Sequence, residues 1–213
     1  APATVQEIAD LTYYAFEVAD RYRTPVLMLG DGMLGQVKEP VVLPEMIKEL
    51  PKKDWALTGM GDGPSHYICS LILDAQEMER HNWKLYRKMQ QMEKNEIRFE
   101  TFMCDDAEIV AIAYGTTARI AKAAVKRLRE KGVKAGLFRP ISLWPYPYDA
   151  LRQVAEKVKN FVVFEMSMGQ MVEDVRLAIQ GMAEIHFHGR SGGMVPSSFE
   201  LARIMYCQHE LMK

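Results

Sequence analysis

The sequence predicts an α/β fold in which mainly parallel sheets carry helices on both faces. Short apolar runs without charge, such as residues 109–113 and 161–164, are typical of strands that are buried on both faces. Amphipathic segments of helical period alternate with these runs, and glycines or small polar residues separate the two kinds of segment. This alternation favours parallel strands joined by right-handed crossover helices.

The length, net charge, apolar runs and cysteine count of the chain argue against several classes of function. Its 213 residues suffice for one large domain or two small ones. With 27 basic and 28 acidic residues, the net charge of −1 gives no electrostatic reason to expect binding to nucleic acid or to an anionic membrane. No apolar run approaches the roughly 20 residues of a membrane span, and no signal-peptide pattern is present, so we expect a cytoplasmic protein. Three scattered cysteines without a C-x-x-C motif argue against a cysteine-ligated zinc or iron–sulfur centre made by this chain alone.

Residues 1–60 are predicted to be the back end of an α/β domain. Thr4 and Glu7 form a capping box that opens a helix. The predicted inward face of this helix contains Val5, Ile8, Ala9, Thr12, Ala15, Phe16 and Ala19. A buried strand is predicted at residues 26–29, where four apolar residues follow one another. A helix that leads into a buried parallel strand needs an earlier strand from which to cross, so we infer that the front of this domain lies outside the chain.

Residues 61–105 are predicted to connect two domains. Asp74, together with Glu77, caps a long charged helix over residues 74–95. The apolar residues of this helix form one narrow seam, which consists of Met78, Leu85, Met89 and Met92. A seam of this width is typical of a helix that lies across a domain surface or against a partner.

Residues 106–213 are predicted to form a second α/β domain. Between strands at 109–113 and 133–138, a helix capped by Thr116 or Thr117 carries one apolar stripe and ends at Gly132. The later elements are a stiff proline-aromatic loop (140–147), a helix (148–158), a strand (161–164), a helix ended by Gly181, a strand (183–187) and a final helix. That final helix is capped by Ser197 or Ser198, and its predicted inward residues are Leu201, Ile204, Met205 and Leu211.

Residues 30–35, GDGMLG, match the glycine pattern of a dinucleotide site, in which a helix N-terminus holds pyrophosphate. That site needs a helix from the third glycine onward, whereas residues 36–43 are expected to be extended because two prolines disfavour helix before them. The triplets 30–32 and 61–63 also match the opening of a magnesium–thiamine diphosphate motif, whose second ligand is a downstream asparagine. The asparagines in this sequence, Asn82, Asn95 and Asn160, lack a suitable context. Turns are therefore the preferred interpretation.

Three other positions are weaker candidates. The loop 189–194, GRSGGM, could cradle an anion with its amides and Arg190, although glycine loops at strand ends are routine. His186 and His188 could lie on one side of a strand, but no third metal ligand accompanies them. Glu165 at a strand end could act as an acid or base, and hydrogen bonding to its own loop is the preferred alternative. We assign no catalytic, cofactor-binding or metal-binding residue.

Six separated motifs give the chain a family resemblance. They are PVLMLGDGMLGQVKEPV, EMERHNWKLYRKMQQMEKNEIRFE, AEIVAIAYGTTARIAKAAV, GLFRPISLWPYP, FVVFEMSMGQMVEDVRLAI and GRSGGMVP. Together they resemble the α subunit of 2-oxoacid:ferredoxin oxidoreductases over essentially all 213 residues. The resemblance is strongest to the branched-chain type, which acts on 2-oxoisovalerate (3-methyl-2-oxobutanoate).

The resemblance implies a domain organisation. Residues 1–60 would be the tail of a pyrimidine-type thiamine-binding domain, residues 61–105 a connector, and residues 106–213 a domain similar to the C-terminal domain of transketolases. This chain would supply structural and interface support, and alone it is expected to be inactive. Two alternatives remain open: the corresponding part of a transketolase-like or E1-type thiamine enzyme without iron–sulfur partners, and a non-catalytic scaffold that shares the fold.

The resemblance also implies a reaction, cofactors and partners. The complete hetero-oligomer would decarboxylate a branched-chain 2-oxoacid oxidatively, transfer the acyl group to coenzyme A and reduce ferredoxin. Thiamine diphosphate and magnesium would act in the full complex, and 4Fe–4S clusters would lie on partner subunits. No cofactor is expected on this chain alone. The expected partners are the β, γ and ferredoxin-like δ subunits, ferredoxin and coenzyme A, with no nucleic acid and no membrane.

Overall fold

A computed structural model describes residues 1–45, 53–57, 59, 63 and 67–211. Within these residues the strands are β1 (Phe99–Phe102), β2 (Ile109–Ile112), β3 (Ala135–Pro140), β4 (Asn160–Glu165) and β5 (Glu184–Gly189). The α-helices are α1 (Val5–Tyr22), α2 (Ala75–Asn95), α3 (Gly115–Glu130), α4 (Tyr148–Lys157), α5 (Met171–Ile179) and α6 (Ser198–Leu211). None of these helices has the length and apolarity needed to cross a membrane.

The five strands form one sheet in the order β1-β3-β2-β4-β5. Strands β2 to β5 pair in parallel, and β1 is an antiparallel edge strand beside β3. Every residue of β2, β3 and β4 is buried, and the uncharged apolar runs at 109–113 and 161–164 predict this for β2 and β4. The prediction of a mainly parallel sheet is confirmed.

Helices cover both faces of the sheet, which confirms the predicted layers. On one face, α3 and α6 enclose an apolar cluster that includes Ile109, Val125, Leu137, Leu201 and Met205. On the other face, α4 and α5 enclose a second cluster that includes Val110, Phe138, Leu151, Phe161 and Val175. The alternating side chains of the central strands supply both clusters, because successive residues of a strand point to opposite faces.

The predicted ends of α3 and α6 are confirmed in part. Gly132 follows the last turn of α3 with φ +82°, the left-handed conformation expected after a helix. Ser197 caps α6, since its Oγ accepts a hydrogen bond from the Glu200 amide at 3.1 Å. The prediction that Leu211 faces inward is wrong, because its side chain is 78% exposed. Leu211 lies six residues beyond buried Met205, and at about 100° per residue it points away from the buried face.

Helix α1 begins with the predicted cap but buries a different face. The Thr4 Oγ1 accepts the Glu7 amide at 3.1 Å, and the Glu7 carboxylate accepts the Ala3 amide at 2.8 Å. The predicted inward face is wrong at Thr12 and Phe16, and Phe16 is 72% exposed. The residues that face the rest of the molecule are Glu7, Leu11, Tyr14, Val18 and Tyr22. Several of these are polar because α1 meets the sheet domain through ion pairs and hydrogen bonds, which an apolar pattern cannot indicate.

Residues 26–29 form no strand, so the predicted buried strand is wrong in the structure. Leu27 is 86% exposed and Leu29 is 44% exposed. A parallel strand is stabilised by neighbours on both sides, and no described strand pairs with this segment.

Helix α2 confirms the predicted long charged helix. Asp74 caps it, because its Oδ1 accepts the Glu77 amide at 2.9 Å. Of the predicted seam, Met92 is buried whereas Met89 is 47% exposed. The division into three regions stays a prediction, and the edge strand β1 joins the sheet ahead of the predicted boundary at residue 106.

Candidate functional site at the carboxyl edge of the sheet

The carboxyl ends of β2 and β4 lie side by side, and the helices that follow them leave toward opposite faces. Helix α3 follows β2 and packs with α6, whereas α5 follows β4 and packs with α4. The strand order therefore reverses direction between these two strands. In open α/β sheets a reversal of this kind opens a crevice where ligands commonly bind. This crevice is the candidate site.

Asp31 is distant from α3 in the sequence, but its carboxylate lies at the N-terminus of this helix. Its Oδ2 accepts a hydrogen bond from the Thr116 amide at 3.2 Å, and its Oδ1 accepts the Leu34 amide at 2.8 Å. Burial alone would raise the pKa of Asp31, but the hydrogen bonds from Thr116 and from the Leu34 amide lower it below its ordinary value. The predicted caps Thr116 and Thr117 make no capping hydrogen bond with their side chains. Asp31 supplies the acceptor instead.

Gly115 lies beside the Asp31 carboxylate in a left-handed backbone conformation. It has φ +59°, and a Cβ at this position would lie 3.4 Å from the Asp31 Oδ2. A residue with a side chain would therefore be strained in its backbone, although its Cβ would only be in ordinary van der Waals contact with the carboxylate. The turn at residues 30–36 rests on the first turn of α3 at this point.

Glu165 performs the same task at the start of α5. Its side chain is 2% exposed. Its carboxylate accepts hydrogen bonds from the Ser167 hydroxyl at 2.8 Å and from the amides of Gln170, Met171 and Val172 at 3.2, 3.1 and 2.9 Å. The preferred interpretation of Glu165, hydrogen bonding to its own loop, is confirmed. The acid/base alternative has no support from a carboxylate that is already fully engaged.

Tyr114 lies near enough to both carboxylates for their charges to affect its pKa. Burial raises the pKa of Tyr114, and the charges of Glu165 and Asp31 raise it further. Helix N-termini attract anions, and at this crevice both N-termini already hold a carboxylate of the chain itself. The arrangement can fix the loops at the sheet edge, but it presents no free helix end to a phosphate.

The glycine pattern at residues 30–35 is a turn, as the sequence analysis preferred. A turn leads into a short 3₁₀ helix, Leu34–Gln36, rather than into an α-helix that could hold pyrophosphate. The triplet at 61–63 lies mostly outside the described residues. The structural role of Asp31 was missed because its partner is 85 positions away in sequence.

The loop at 189–194 has an internal partner for its arginine. Arg190 Nη1 lies 3.1 Å from Glu200 Oε1, and the His188 ring lies 3.3 Å from the same oxygen. His186 lies 3.6 Å from Glu184. Because Glu200 already compensates the charge of Arg190, the geometry gives the anion hypothesis no added support, and it stays untested.

Ion pairs that the sequence analysis missed join α1 to the sheet. Arg139 on β3 is 5% exposed, and its guanidinium contacts the Glu7 carboxylate of α1 at 2.9 Å and the Glu100 carboxylate of β1 at 3.2 Å. An arginine inside an otherwise apolar strand was the available signal, because a buried charge requires a partner. Glu39 adds a further bridge, accepting from the Val5 amide at 3.3 Å and from Arg119 at 2.5 Å.

A second polar cluster surrounds the buried carboxylate of Glu96. Tyr14 and Tyr22 donate to it through their hydroxyls, the latter at 2.8 Å, and Arg21 lies 3.0 Å away. Burial would raise the pKa of Glu96, but these hydroxyl hydrogen bonds and the charge of Arg21 lower it. The cluster forms one wall of an apolar cleft of about 450 Å³ between α1, residues 24–29 and the loop at 141–145.

The described residues do not fit a metal-bound diphosphate or an iron–sulfur cluster. Both oxygens of Asp31 are engaged by backbone amides. Across the described ranges, no group of three or more His, Cys, Asp and Glu side chains is placed to hold a metal ion. Cys69 and Cys207 are exposed, and Cys104 is buried with its thiol directed at the Leu137 carbonyl.

The sequence of the chain is similar to those of known proteins. Residues 107–201 match the sequence family described as pyruvate:ferredoxin oxidoreductase core domain II. The ketoisovalerate oxidoreductase subunit VorB of Methanothermobacter thermautotrophicus is 43% identical over 194 residues, which are 91% of this chain and 55% of that protein. The 2-oxoglutarate synthase subunit KorA of Archaeoglobus fulgidus is 34% identical over 183 residues, 82% of this chain and 51% of that protein. The chain spans about half the length of these curated relatives.

A solved structure shares the fold. The 2-oxoglutarate:ferredoxin oxidoreductase from Magnetococcus marinus, solved with 2-oxoglutarate, coenzyme A and succinyl-CoA bound, superposes with a TM-score of 0.74 at 16% identity. The match covers 98% of this chain and 41% of that one, and at this identity it establishes the fold alone. The family follows from the sequence: because VorB is 43% identical over 91% of this chain, the chain belongs to the 2-oxoacid:ferredoxin oxidoreductase family.

Proposed function

We propose that this chain is part of the α subunit of a thiamine-diphosphate-dependent 2-oxoacid:ferredoxin oxidoreductase that acts on branched-chain 2-oxoacids. One observation carries the choice of substrate. The two ketoisovalerate oxidoreductase subunits are 43% and 44% identical to the chain, whereas the 2-oxoglutarate synthase subunits are 28–34% identical and the pyruvate synthase subunits 28–29%. This gap supports a substrate class shared with the ketoisovalerate enzymes.

The proposed reaction belongs to the complete enzyme. A branched-chain 2-oxoacid loses carbon dioxide, its acyl carbon is oxidised and bonded to the sulfur of coenzyme A, and two electrons reduce ferredoxin. Thiamine diphosphate, when bound, supplies the stabilisation of negative charge on the acyl carbon. The cofactor and its magnesium, the 4Fe–4S clusters and the β, γ and δ subunits belong to the rest of a cytoplasmic hetero-oligomer. We place no cofactor on this chain alone.

The role we propose for this segment is mechanical support. Residues 1–60 would complete a pyrimidine-type domain, and residues 106–213 would form the domain similar to the transketolase C-terminal domain. Residues 61–105 would connect these two domains. Contacts of Asp31 with Thr116, and of Arg139 with Glu7, hold the first of these regions against the sheet. A fixed relation between two domains is what an active site shared among domains requires.

A substrate comparison tests this function. The complete enzyme that contains this subunit should reduce ferredoxin in a coenzyme A-dependent reaction, with kcat/KM highest for 3-methyl-2-oxobutanoate. Preference for 2-oxoglutarate or pyruvate would overturn the substrate class. A complex that lacks the absorbance of iron–sulfur clusters and does not reduce ferredoxin would favour a transketolase-like or E1-type enzyme. Omitting coenzyme A is the control. In calorimetry, the 213 residues alone should bind no thiamine diphosphate.

A further inference from the structure

We infer that the carboxyl edge of the sheet contains a binding site for one buried water molecule, held by the Tyr146 hydroxyl and the Asp174 carboxylate. The site lies between the loop at 141–147, which follows β3, and the first turns of α5. Its ligand class is a small neutral molecule that both donates and accepts hydrogen bonds. The inference does not depend on the proposed function, because it concerns only contacts around the sheet.

Tyr146 carries a hydroxyl that the described protein groups leave without a partner. The residue is 2% exposed, and its ring belongs to the apolar cluster that α4 and α5 enclose. Among the described residues, no group forms a hydrogen bond with this hydroxyl. A buried tyrosine hydroxyl normally has a hydrogen-bond partner, because a desolvated donor without an acceptor costs free energy. A small molecule is therefore the expected partner.

Two carboxylates lie near the Tyr146 hydroxyl but beyond direct reach. Burial raises the pKa of Tyr146, and the charges of Asp174 and Glu165 raise it further. Both carboxylates are thus close enough to act on the hydroxyl electrostatically, although neither forms a hydrogen bond with it. A water molecule commonly bridges polar groups at such a separation.

Asp174 can accept the second hydrogen bond of the bridge. The Tyr148 hydroxyl donates to its Oδ1 at 2.5 Å, and a carboxylate can accept about four hydrogen bonds. Glu165, by contrast, already accepts from one hydroxyl and three amides. The rings of Tyr146 and Tyr148 pack with their centroids 5.1 Å apart, so both tyrosines lie beside the same part of α5. Asp174 is therefore the acceptor that remains available.

The chemistry of this site favours water over an ion. Two nearby carboxylates repel an anion, and an ammonium group has no lone pair to accept the Tyr146 proton. A metal ion has little support, since the described ranges bring no three His, Cys, Asp or Glu side chains together to hold one. Water accepts from the hydroxyl and donates to the carboxylate, as buried waters do for polar groups that would otherwise be unsatisfied.

A crystal structure of the native protein that contains this chain tests the site, at a resolution that shows ordered solvent. We expect one water within about 3 Å of the Tyr146 hydroxyl oxygen and of an Asp174 carboxylate oxygen. A direct hydrogen bond from Tyr146 to a protein group overturns the proposal, because the hydroxyl then needs no water. A metal ion with its shorter contacts, or a hydroxyl without any neighbour in hydrogen-bonding distance, also overturns it.

Thermal unfolding of the same protein gives a second readout, in which the sign of the effect decides. Tyr146→Phe should lower the Tm by about 2 °C, because the water loses one of its anchors. An unpartnered hydroxyl predicts the opposite, since its removal relieves a desolvated donor, so an unchanged or raised Tm contradicts the proposal. Tyr206→Phe is the matched control, because Tyr206 is 45% exposed, and it should leave the Tm unchanged.

A double-mutant cycle tests whether Tyr146 and Asp174 act together. The effect of Tyr146→Phe should largely disappear in an Asp174→Ala background, where the bridge has already lost its acceptor. A full effect of Tyr146→Phe in that background shows that the two groups are independent and overturns the proposal. Neither the structure nor the unfolding experiments use substrate, so a wrong substrate class would leave all of these results unchanged.

Discussion

The carboxylate of Asp31 caps α3 by accepting a hydrogen bond at 3.2 Å from the amide of Thr116, which lies 85 positions later in the sequence. A glycine triplet that resembles the opening of a cofactor motif thus fixes one part of the chain on another. Gly115 begins this helix with φ +59°, a left-handed conformation in which a residue with a side chain would be strained. At this edge of the sheet, carboxylates of the chain itself lie at the helix N-termini that could otherwise bind an anion.

Replacing Asp31 should therefore destabilise the protein. We expect Asp31→Ala to lower the free energy of unfolding by about 1 kcal/mol, the usual effect of a lost N-terminal cap, and Asp31→Asn to lower it less because an amide oxygen can still accept. Urea denaturation measures both. Asp149→Ala is the control, since the Asp149 side chain is 90% exposed, and it should change stability little.

The same contact predicts a pH dependence. Because the pKa of Asp31 is lowered in the folded state, its stabilisation is present above the ordinary pKa of 3.8 and is lost as pH falls through the folded value. The difference in stability between the native protein and Asp31→Asn should therefore shrink in acid. A difference that stayed constant from pH 7 to pH 3 would contradict this account.

Glu165 should matter more than Asp31, because it is 2% exposed and accepts four hydrogen bonds. Glu165→Ala leaves buried donors without an acceptor, and we expect a loss of about 3 kcal/mol in the free energy of unfolding. Chemical denaturation gives the value. Glu173→Ala removes an exposed carboxylate from the same helix start and serves as the matched control. Equal effects of the two changes would show that the capping of α5 is not what Glu165 contributes.

The ion pair between Arg139 and Glu7 should hold α1 to the sheet. Arg139→Met leaves the Glu7 and Glu100 carboxylates without their shared guanidinium. We expect the free energy of unfolding to fall by about 2 kcal/mol, which is less than for a fully buried pair because both carboxylates are about one-third exposed. In a double-mutant cycle, Glu7→Gln should add little to Arg139→Met. Strict additivity of the two changes in urea unfolding would show that the pair is not coupled. Arg176→Met, on an exposed i,i+3 pair, should be near neutral.

The three cysteines should differ in reactivity. Burial raises the pKa of the Cys104 thiol to about 11, so almost no thiolate is present at pH 8. Iodoacetamide should modify Cys69 and Cys207, which are exposed, and leave Cys104 unmodified in the folded chain. Mass spectrometry counts the adducts, and all three thiols should react in urea. Modification of Cys104 at the rate of the other two would contradict its burial.

Local patterns predicted much of the sheet domain. The uncharged runs at 109–113 and 161–164 became β2 and β4, and Gly132 ends α3 with φ +82°. These features depend on side-chain period and backbone freedom, which a short stretch of sequence carries by itself. The predicted capping interactions of Thr4 and Asp74 are confirmed for the same reason, since donor and acceptor lie three residues apart.

Predictions failed where the outcome depended on residues far away in sequence. The face of α1 was assigned from apolar spacing, yet Tyr14 and Tyr22 turn inward because they donate to Glu96, which lies 82 and 74 positions later, respectively. The run at 26–29 has the composition of a buried strand but no described neighbour to bury it. A pattern specifies what a segment can form, and only its partners determine whether it does.

The sequence alone determined the α/β class, the order of helices and strands over residues 106–211 and the family, because periodicity and motifs are properties of neighbouring residues. The tertiary structure decided which groups meet: Asp31 with the start of α3, Arg139 with Glu7, and Glu165 with the start of α5. Buried charges and helix ends need partners, and the chain brings those partners together only when it folds.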